Sequence, residues 1–464
     1  MATSSSEPGP RPRGIRALIE AVLPAARFGD ERAIAAGTGQ NLVGLVVAML
    51  ATFATQVLIT RVLGAAAFGA VTVATQLAFV GAAATRFGMD MASVRLVAIH
   101  AGRGEREVLR GVVRRAAGIA ALVSVVVGAG IFAGADALAR TFASPGEGGA
   151  FRAAAIALPF AALVHVYLGA TRGLKVMRHT LTVYWVGQPL LWILLLLSGW
   201  LVARSIETSV AAYAGSWAIA TVAALLLWRR ETPGPEAPVP AGEMRQLVRY
   251  GAPRAPAALS AQLLFWTDLF VLARVAPAAE VGVYAAAVRA GQVILLFLIS
   301  VNNMFSPFVA DLHARGERQR LDALYKLVTR WMLVATLPIL IVLAVVPDAV
   351  LHLFGEGFGR GRTALLILLG GQLVNVATGS VGFILIMVGR TGWDLVVNGV
   401  AVAFSLGVAM LLAPRYGMEG AAVAGATTLA LGNLWRLALV RRLVGIQPFT
   451  RDHLRLLPPA LAGA

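Results

Sequence analysis

Long apolar runs separated by short polar corners dominate this chain. Crossing a bilayer core takes about 20 mostly apolar residues. Twelve runs of that kind occur, at roughly 37–60, 68–88, 116–135, 151–171, 182–203, 209–228, 249–273, 283–306, 327–347, 363–387, 393–413 and 418–440. Runs this long predict membrane-crossing helices. The strands of a membrane barrel would alternate in polarity and stop after about 9–11 residues.

The corners repeat. Arg61, Val62, Ala65, Ala66 and Gly69 recur as Arg274, Val275, Ala278, Ala279 and Gly282, all at a shift of 213. His100-Ala101 recurs as His313-Ala314. After the loss of one residue, Gly104-Glu105-Arg106 recurs as Gly316-Glu317-Arg318, and Phe142 as Phe354. The chain is a tandem duplication with six runs in each copy. Six is even, so the second copy enters the membrane in the same orientation as the first. The expected architecture is an all-α integral membrane protein of two parallel six-helix repeats, related by an axis along the membrane normal. Transporters commonly place their substrate site between such repeats. The expected plan is a basic tail (1–33), a first half (34–228), a Pro-rich linker (229–247), a second half (248–443) and a terminal segment (444–464). That last segment is either an interfacial helix or the start of a further span. Four prolines between Thr232 and Pro240 predict an extended, semi-stiff tether.

Composition agrees. Hydrophobic residues make up 58% and charged residues 14%, with a mean hydropathy of +0.77; soluble chains carry about 25% charged residues. The net charge of +17 would point to nucleic acid in a soluble protein, but its distribution points elsewhere. Of 40 Lys and Arg, 31 fall on the side of the N-terminal tail and 8 on the opposite side, leaving Arg289 inside a run. Cytoplasmic loops retain Lys and Arg, so both termini are expected inside. Basic loops such as Arg103, Arg106 and Arg110 then serve topology and contact anionic lipid, not nucleic acid. No signal peptide is read in the first 32 residues. Arg outnumbers Lys 38 to 2, as in a GC-rich bacterial genome.

Only two charges lie well inside runs. Asp268 is six residues before Arg274, and Arg289 seven after Gly282. At 1.5 Å per residue both lie about 10 Å below the corner. Each costs roughly 2.5–3.5 kcal/mol at a helix centre unless it has a partner or a wet surface. Two readings follow: an Asp268–Arg289 ion pair that holds the hairpin, or an Arg289 that faces a wet cavity and binds an anionic group. The positions equivalent to Asp268 and Arg289 in the first copy are Thr55 and Gln76, both uncharged. Arg289, Gln292, Ser300 and Asn303 fall within an arc of about 80° if the helix is regular, a polar stripe that should face protein or water. Other amides at membrane depth are Gln56, Gln188, Gln262, Gln372, Asn375 and Asn398. Amides both donate and accept, which suits sugar hydroxyls, and they also join helices to one another.

Enzyme chemistry finds little support. The only lysines, Lys175 and Lys326, follow Leu174 and Tyr325, whereas a P-loop needs Gly before its Lys. There is no cysteine and no His-Glu-x-x-His. No catalytic residue, metal or cofactor is expected.

Thr60-Arg61-Val62-Leu63-Gly64, then Phe68-Gly69, resembles the corner between the first two spans of polysaccharide flippases. These are the Wzx-type O-antigen and exopolysaccharide exporters of the multidrug/oligosaccharidyl-lipid/polysaccharide (MOP) superfamily. Gly88-Met89-Asp90 with Arg95 is similar to the end of their second span. Asp268, then Val281-Gly282-Val283-Tyr284, then Arg289, is similar to spans seven and eight. Pro414-Arg415-Tyr416-Gly417-Met418-Glu419-Gly420-Ala421-Ala422 resembles the entry to span twelve. Two departures stand out: Ala276-Pro277 replaces the usual Leu-Gly, and many members have fourteen spans. The resemblance covers about residues 35–445.

It implies two lobes in a V around a central cavity, in the bacterial cytoplasmic membrane. It also implies a polyprenyl-diphosphate-linked oligosaccharide moved between leaflets, with a polysaccharide polymerase as a partner. The substrate-contacting residues expected on these grounds are Arg289, Gln292, Asn303, Gln56, Gln76, Gln262, Gln372 and Asn375. A MATE-like drug/cation antiporter would share the architecture but should carry acids in its first spans, and none is found. A lipid II flippase should carry charges there, also absent. A membrane polymerase or glycosyltransferase would need a large loop of candidate acids, and loops 136–151 and 348–363 are short.

Overall fold

The computed structural model describes residues 29–449 apart from 143, 145, 236, 239–241 and 253; the side chains of 29–43, 303, 304 and 307 also lie outside the description. Residues 450–464 of the terminal segment expected to be an interfacial helix or a cut-off span, and most of the basic tail, therefore fall outside the described residues.

The described residues form helices and turns, with no strand. The first half contains α1 (Gly29–Thr85), α2 (Met89–Gly102), α3 (Leu109–Ala133), α4 (Ala135–Thr141), α5 (Gly148–Gly173), a π-helical segment (Thr180–Gly187) that runs into α6 (Gln188–Trp200), and α7 (Ile206–Glu231). The short α8 (Glu243–Gly251) follows the linker. The second half contains α9 (Arg254–Val275), α10 (Ala278–Gln292), α11 (Leu295–Ala314), α12 (Arg318–Val345), α13 (Pro347–His352), α14 (Arg362–Thr378), α15 (Val381–Met387) and α16 (Thr391–Leu443).

Eight helical stretches are long and apolar enough to cross a membrane, and two bent pairs raise the number to ten. The twelve runs of the sequence require α1 and α16 to count twice. Both are interrupted by a glycine with non-helical backbone: Gly64 at φ 85°, ψ 177° and Gly417 at φ 56°, ψ −133°. The conformation at Gly64 is essentially closed to residues with a Cβ. At 57 residues, α1 would be about 85 Å long if straight, nearly three times the hydrocarbon thickness. In the second copy Pro277, which begins α10, breaks the chain at the position equivalent to Gly64. Different chemistry thus turns the chain at equivalent points.

The two corners meet. A Cβ built on Gly69 would fall on the carbonyl oxygen of Ala278 and lie 3.0 Å from Gly282 N. A Cβ on Gly282 would fall on the carbonyl oxygen of Ala65 and lie 3.1 Å from Gly69 N. These are equivalent contacts under the 213-residue shift, so a pseudo-two-fold axis passes between the backbones of α1 and α10.

Away from the axis the copies differ. The second half bends by 49° between α10 and α11 and by 44° between α14 and α15. At the first bend Val293, Ile294 and Leu296 donate to carbonyls three residues back, a local tightening of the helix. At the second, Gly379 adopts φ 69°, ψ −149°. The 49° bend corrects the polar stripe read from the sequence. Gln292 and Ser300 lie on different helix axes, and Ser300 is fully buried within the protein.

Large apolar side chains are exposed along the outer faces, among them Leu122, Val126, Leu194 and Met410. Such a surface is stable against lipid, not water, and the chain is a multi-pass membrane protein. The described residues of the linker are tied to the first half. The Arg110 guanidinium donates to Thr232 Oγ1 (3.3 Å), to the Gly234 carbonyl (3.0 Å) and to the Arg229 carbonyl (3.2 Å), and Ala237 N–H donates to the Glu107 carbonyl. Proline leaves carbonyls without helical donors, and an arginine satisfies them here. The α8 helix then docks on the first half: Leu247 is fully buried, and Arg95 lies 4.6 Å above the Tyr250 ring.

Candidate functional site

A cavity of about 300 Å³ lies where α1, the π segment, α6 and α7 face α9, α10 and α11. Its position follows from the pseudo-axis. Gln76 and Arg289 are equivalent residues under the 213-residue shift, and both line it, one from each half. The wall is apolar and aromatic apart from a few amides and one guanidinium. No Asp or Glu is among its lining residues.

Arg289 is half-buried and held in two ways. Its Nη1 donates to Gln292 Oε1 at 3.1 Å, and its guanidinium carbon sits 4.8 Å over the Trp266 ring. The ring face provides cation–π attraction that offsets part of the lost hydration. Arg289 Nε, buried, has no protein partner, and neither does Gln56 Oε1 on the opposite wall. Gln56 and Gln76 are buried, at 3% and 8% exposure. The cavity therefore holds an unmet donor and an unmet acceptor, each costing about 1–3 kcal/mol if left dry.

The Asp268–Arg289 ion pair does not form. Asp268 Oδ2 accepts from the Tyr284 hydroxyl at 2.6 Å and Oδ1 from the Leu269 N–H at 2.8 Å. The reason is angular. Trp266 and Asp268 are two residues apart on α9, about 200° around the helix. Trp266 takes the cavity face, so Asp268 points away, toward α16, where a Cβ on Gly425 would meet its carboxylate. Equal depth did not imply equal azimuth.

The remaining amides divide. Gln292 lines the cavity. Gln262 is half-buried on α9 and is not among the lining residues. Gln372 and Asn375 are not among its lining residues and join a chain of hydrogen bonds inside the second half. Asn375 Nδ2 donates to Gln372 Oε1 at 3.1 Å, and Asn433 Nδ2 to Asn375 Oδ1 at 3.0 Å. The Asn375–Asn433 bond ties two helices together, and the Gln372–Asn375 bond lies within one. The Asn303 side chain lies outside the described residues. Gln188, buried, donates to Ser216 Oγ at 3.0 Å.

Two features escaped the sequence reading. The first is the aromatic wall of Tyr184, Trp185, Trp192, Tyr213 and Trp217, faced by Trp266. Membrane aromatics concentrate at the interfaces, so Trp192, Trp217 and Trp266, well inside their runs, carried a signal. The second is an ion pair in the second half between a buried arginine and a half-buried aspartate. Arg436 Nε lies 3.1 Å from Asp394 Oδ1, and Asn398 bridges both groups by donating to Asp394 Oδ2 and accepting from Arg436 Nη2. Arg436 is 7% exposed. These charges looked like span ends in sequence.

The cavity is sealed at the corner end. Arg61 Nε and Nη2 donate to the Leu353 and His352 carbonyls, each at 3.0 Å, so the first copy's corner caps α13 of the second. Phe354 packs on Phe53 (5.0 Å) and Phe68 (6.4 Å), and its first-copy equivalent Phe142 packs on Phe270 (6.0 Å). From the level of Gln56, Gln76 and Arg289 the lining runs to Leu45, Tyr184 and Ile299, which lie toward the opposite, Arg-rich end.

Comparisons with known proteins agree with this architecture. An inward-facing multidrug-resistance MATE-family transporter of the MOP superfamily superposes with a TM-score of 0.72 at 14% identity, covering 87% of this chain and 98% of that one. The MATE transporter VcmN of Vibrio cholerae gives 0.64 at 15% identity over 89% and 98%. A MOP-superfamily transporter from Pyrococcus furiosus, described as having a binding pocket of reversed polarity, gives 0.62 at 15% identity over 90% and 99%. At such identities the likeness establishes the fold alone. No sequence match is found among curated proteins. The model of the family described as polysaccharide biosynthesis protein matches residues 34–313. On the strength of that match, which runs through the first half and across the cavity wall to α11, the chain belongs to the polysaccharide biosynthesis protein family, with the fold of the MOP transporters.

Proposed function

We propose that this protein is a lipid-linked oligosaccharide flippase of the bacterial cytoplasmic membrane, carrying a polyprenyl-diphosphate-linked glycan from the cytoplasmic to the outer leaflet by alternating access. The observation that carries the reading is Arg289, a single cation with a free Nε in a cavity between two halves. A guanidinium presents several fixed donors to phosphate oxygens, and its charge is screened little in a partly dry site. The amides beside it suit hydroxyls. The Arg-rich end is cytoplasmic on the distribution of Lys and Arg. The cavity, sealed at the corner end, is then the inward-facing state, and cargo enters from the side where it is made. A polysaccharide polymerase is the natural recipient on the far side.

The drug/cation antiporter reading is weaker. An organic cation would meet Arg289 and no carboxylate in the cavity wall. Sparing the lipid-linked glycan the bilayer core requires a charge of the opposite sign to its diphosphate, which is what the wall carries.

The test is Arg289→Ala with Arg289→Lys as control, in cells whose surface polysaccharide depends on this gene. Arg289→Ala should abolish surface glycan while the protein still inserts and purifies as a monodisperse species. Arg289→Lys, which keeps the charge and loses the planar fork, should retain part of it. Wild-type surface glycan in Arg289→Ala would overturn the proposal.

A further inference from the structure

We propose that the first-half wall of the cavity is a stacking platform for a hexose ring, with Trp185 as its open face. This rests on the function proposed above and names the part of the cargo that the wall reads.

Backbone geometry is the first argument. Thr180–Gly187 is eight residues of π-helix, closed by the Gln188 N–H donating to the Val183 carbonyl. Segments of this kind are rare and occur frequently at functional sites. Here the segment puts two adjacent rings, Tyr184 and Trp185, on the same cavity wall, 5.0 Å apart and at 80° to each other.

The two rings are not equally engaged. Tyr184 is fixed by His165 at 5.0 Å and Trp217 at 5.9 Å as well as by Trp185. Among the described residues, Trp185 has Tyr184 as its one ring contact. Trp185 is half-buried and lies only three residues inside its run, the depth of an interfacial belt. A belt tryptophan faces lipid, whereas this one lines the cavity. Simple core packing would bury the ring, which here is only half-buried.

The chemistry of the unmet polar atoms narrows the ligand. A diphosphate offers acceptors only, so it can meet Arg289 Nε but leaves Gln56 Oε1 without a donor. A hydroxyl both donates and accepts. A hexose has hydroxyls on its rim and an apolar C–H face, and that face lies against the electron-rich face of an aromatic ring. An organic cation would also favour the rings, but Arg289 opposes it. A hexose joined to an anion uses the ring face, the unmet acceptor and the guanidinium together.

The experiment measures equilibrium binding to the purified protein in lipid nanodiscs with two probes: polyprenyl diphosphate carrying one hexose, and bare polyprenyl diphosphate. Wild type should bind the hexose-bearing probe more tightly. Trp185→Leu should weaken that probe by roughly tenfold, an aromatic contact being worth up to about 1.5 kcal/mol, and leave the bare probe unchanged. Trp185→Phe, which keeps a ring, should stay close to wild type. Equal binding of both probes by wild type, or a Trp185→Leu loss shared by both, overturns the platform and leaves the flippase reading standing. Binding of neither probe by wild type overturns both.

Discussion

The backbone contact at the pseudo-axis makes a quantitative prediction. Gly69→Ala or Gly282→Ala places a methyl group onto a backbone carbonyl of the other half, with an amide nitrogen 3.0–3.1 Å behind it. No flexible side chain can move aside, so α1 and α10 must separate at the corner. Overpacking of this kind costs about 1–3 kcal/mol. The cost falls on the state in which the corner end is sealed, so a two-state gate should shift toward opening by about 5- to 150-fold. The natural chain has no cysteine, so Gln76→Cys gives a single reporter in the cavity. Labelling of this cysteine by a membrane-impermeant maleimide from the corner side should be slow in the otherwise natural sequence and at least about fivefold faster with Gly282→Ala. Gly69→Ala should act alike, because the contacts are equivalent. The double substitution should fall short of the sum, since the first methyl already opens the gap that the second needs. Unchanged labelling in both single variants, with the protein folded, would refute a tight backbone axis. A strictly additive double variant would refute the shared gap.

Two further outcomes follow from contacts elsewhere. Arg61→Ala removes two hydrogen bonds to the Leu353 and His352 carbonyls; being exposed, they should be worth about 1 kcal/mol together, so the same labelling assay should show a rise of about fivefold, and no rise would mean the corner end is held by the phenylalanines alone. Arg436→Met should lower stability, by at most about 3–5 kcal/mol, because it leaves the half-buried Asp394 without its cation, whereas Arg436→Met with Asp394→Leu should recover most of that loss, as read by thermal unfolding in detergent; a double variant no better than the single would show that the pair does more than neutralise itself.

The sequence exposed the gross plan because membrane insertion imposes it. Run length follows from a constraint that acts on every residue of a span, and the 213-residue echo from duplication of the whole unit. The pseudo-axis was implicit in Gly69 and Gly282, the small residues that recur at the corner. Direction around each helix was far less legible. In a soluble helix the apolar stripe marks the buried face, but in lipid both faces are apolar and the stripe disappears. Asp268 and Arg289 were therefore placed at the right depth in one hairpin, yet Trp266 occupies the azimuth that an ion pair would need. The bend at 292–295 broke the regular periodicity on which the polar stripe depended. Arg436 and Asp394 lie 42 residues apart near opposite ends of one helical sequence, and only the fold back at Gly417 brings them together.

The equivalence of Gln76 and Arg289 bears on how such a cavity could arise. A symmetric pair of separate six-span chains would present any residue at this level twice. An arginine there would face its own copy across a poorly solvated gap, and one charge would repel the other. Joining the copies in one polypeptide lets the two positions evolve apart, so that a lone guanidinium can sit opposite a neutral amide. Fusion thus permits an unpaired guanidinium at the midline, which two identical chains could not present.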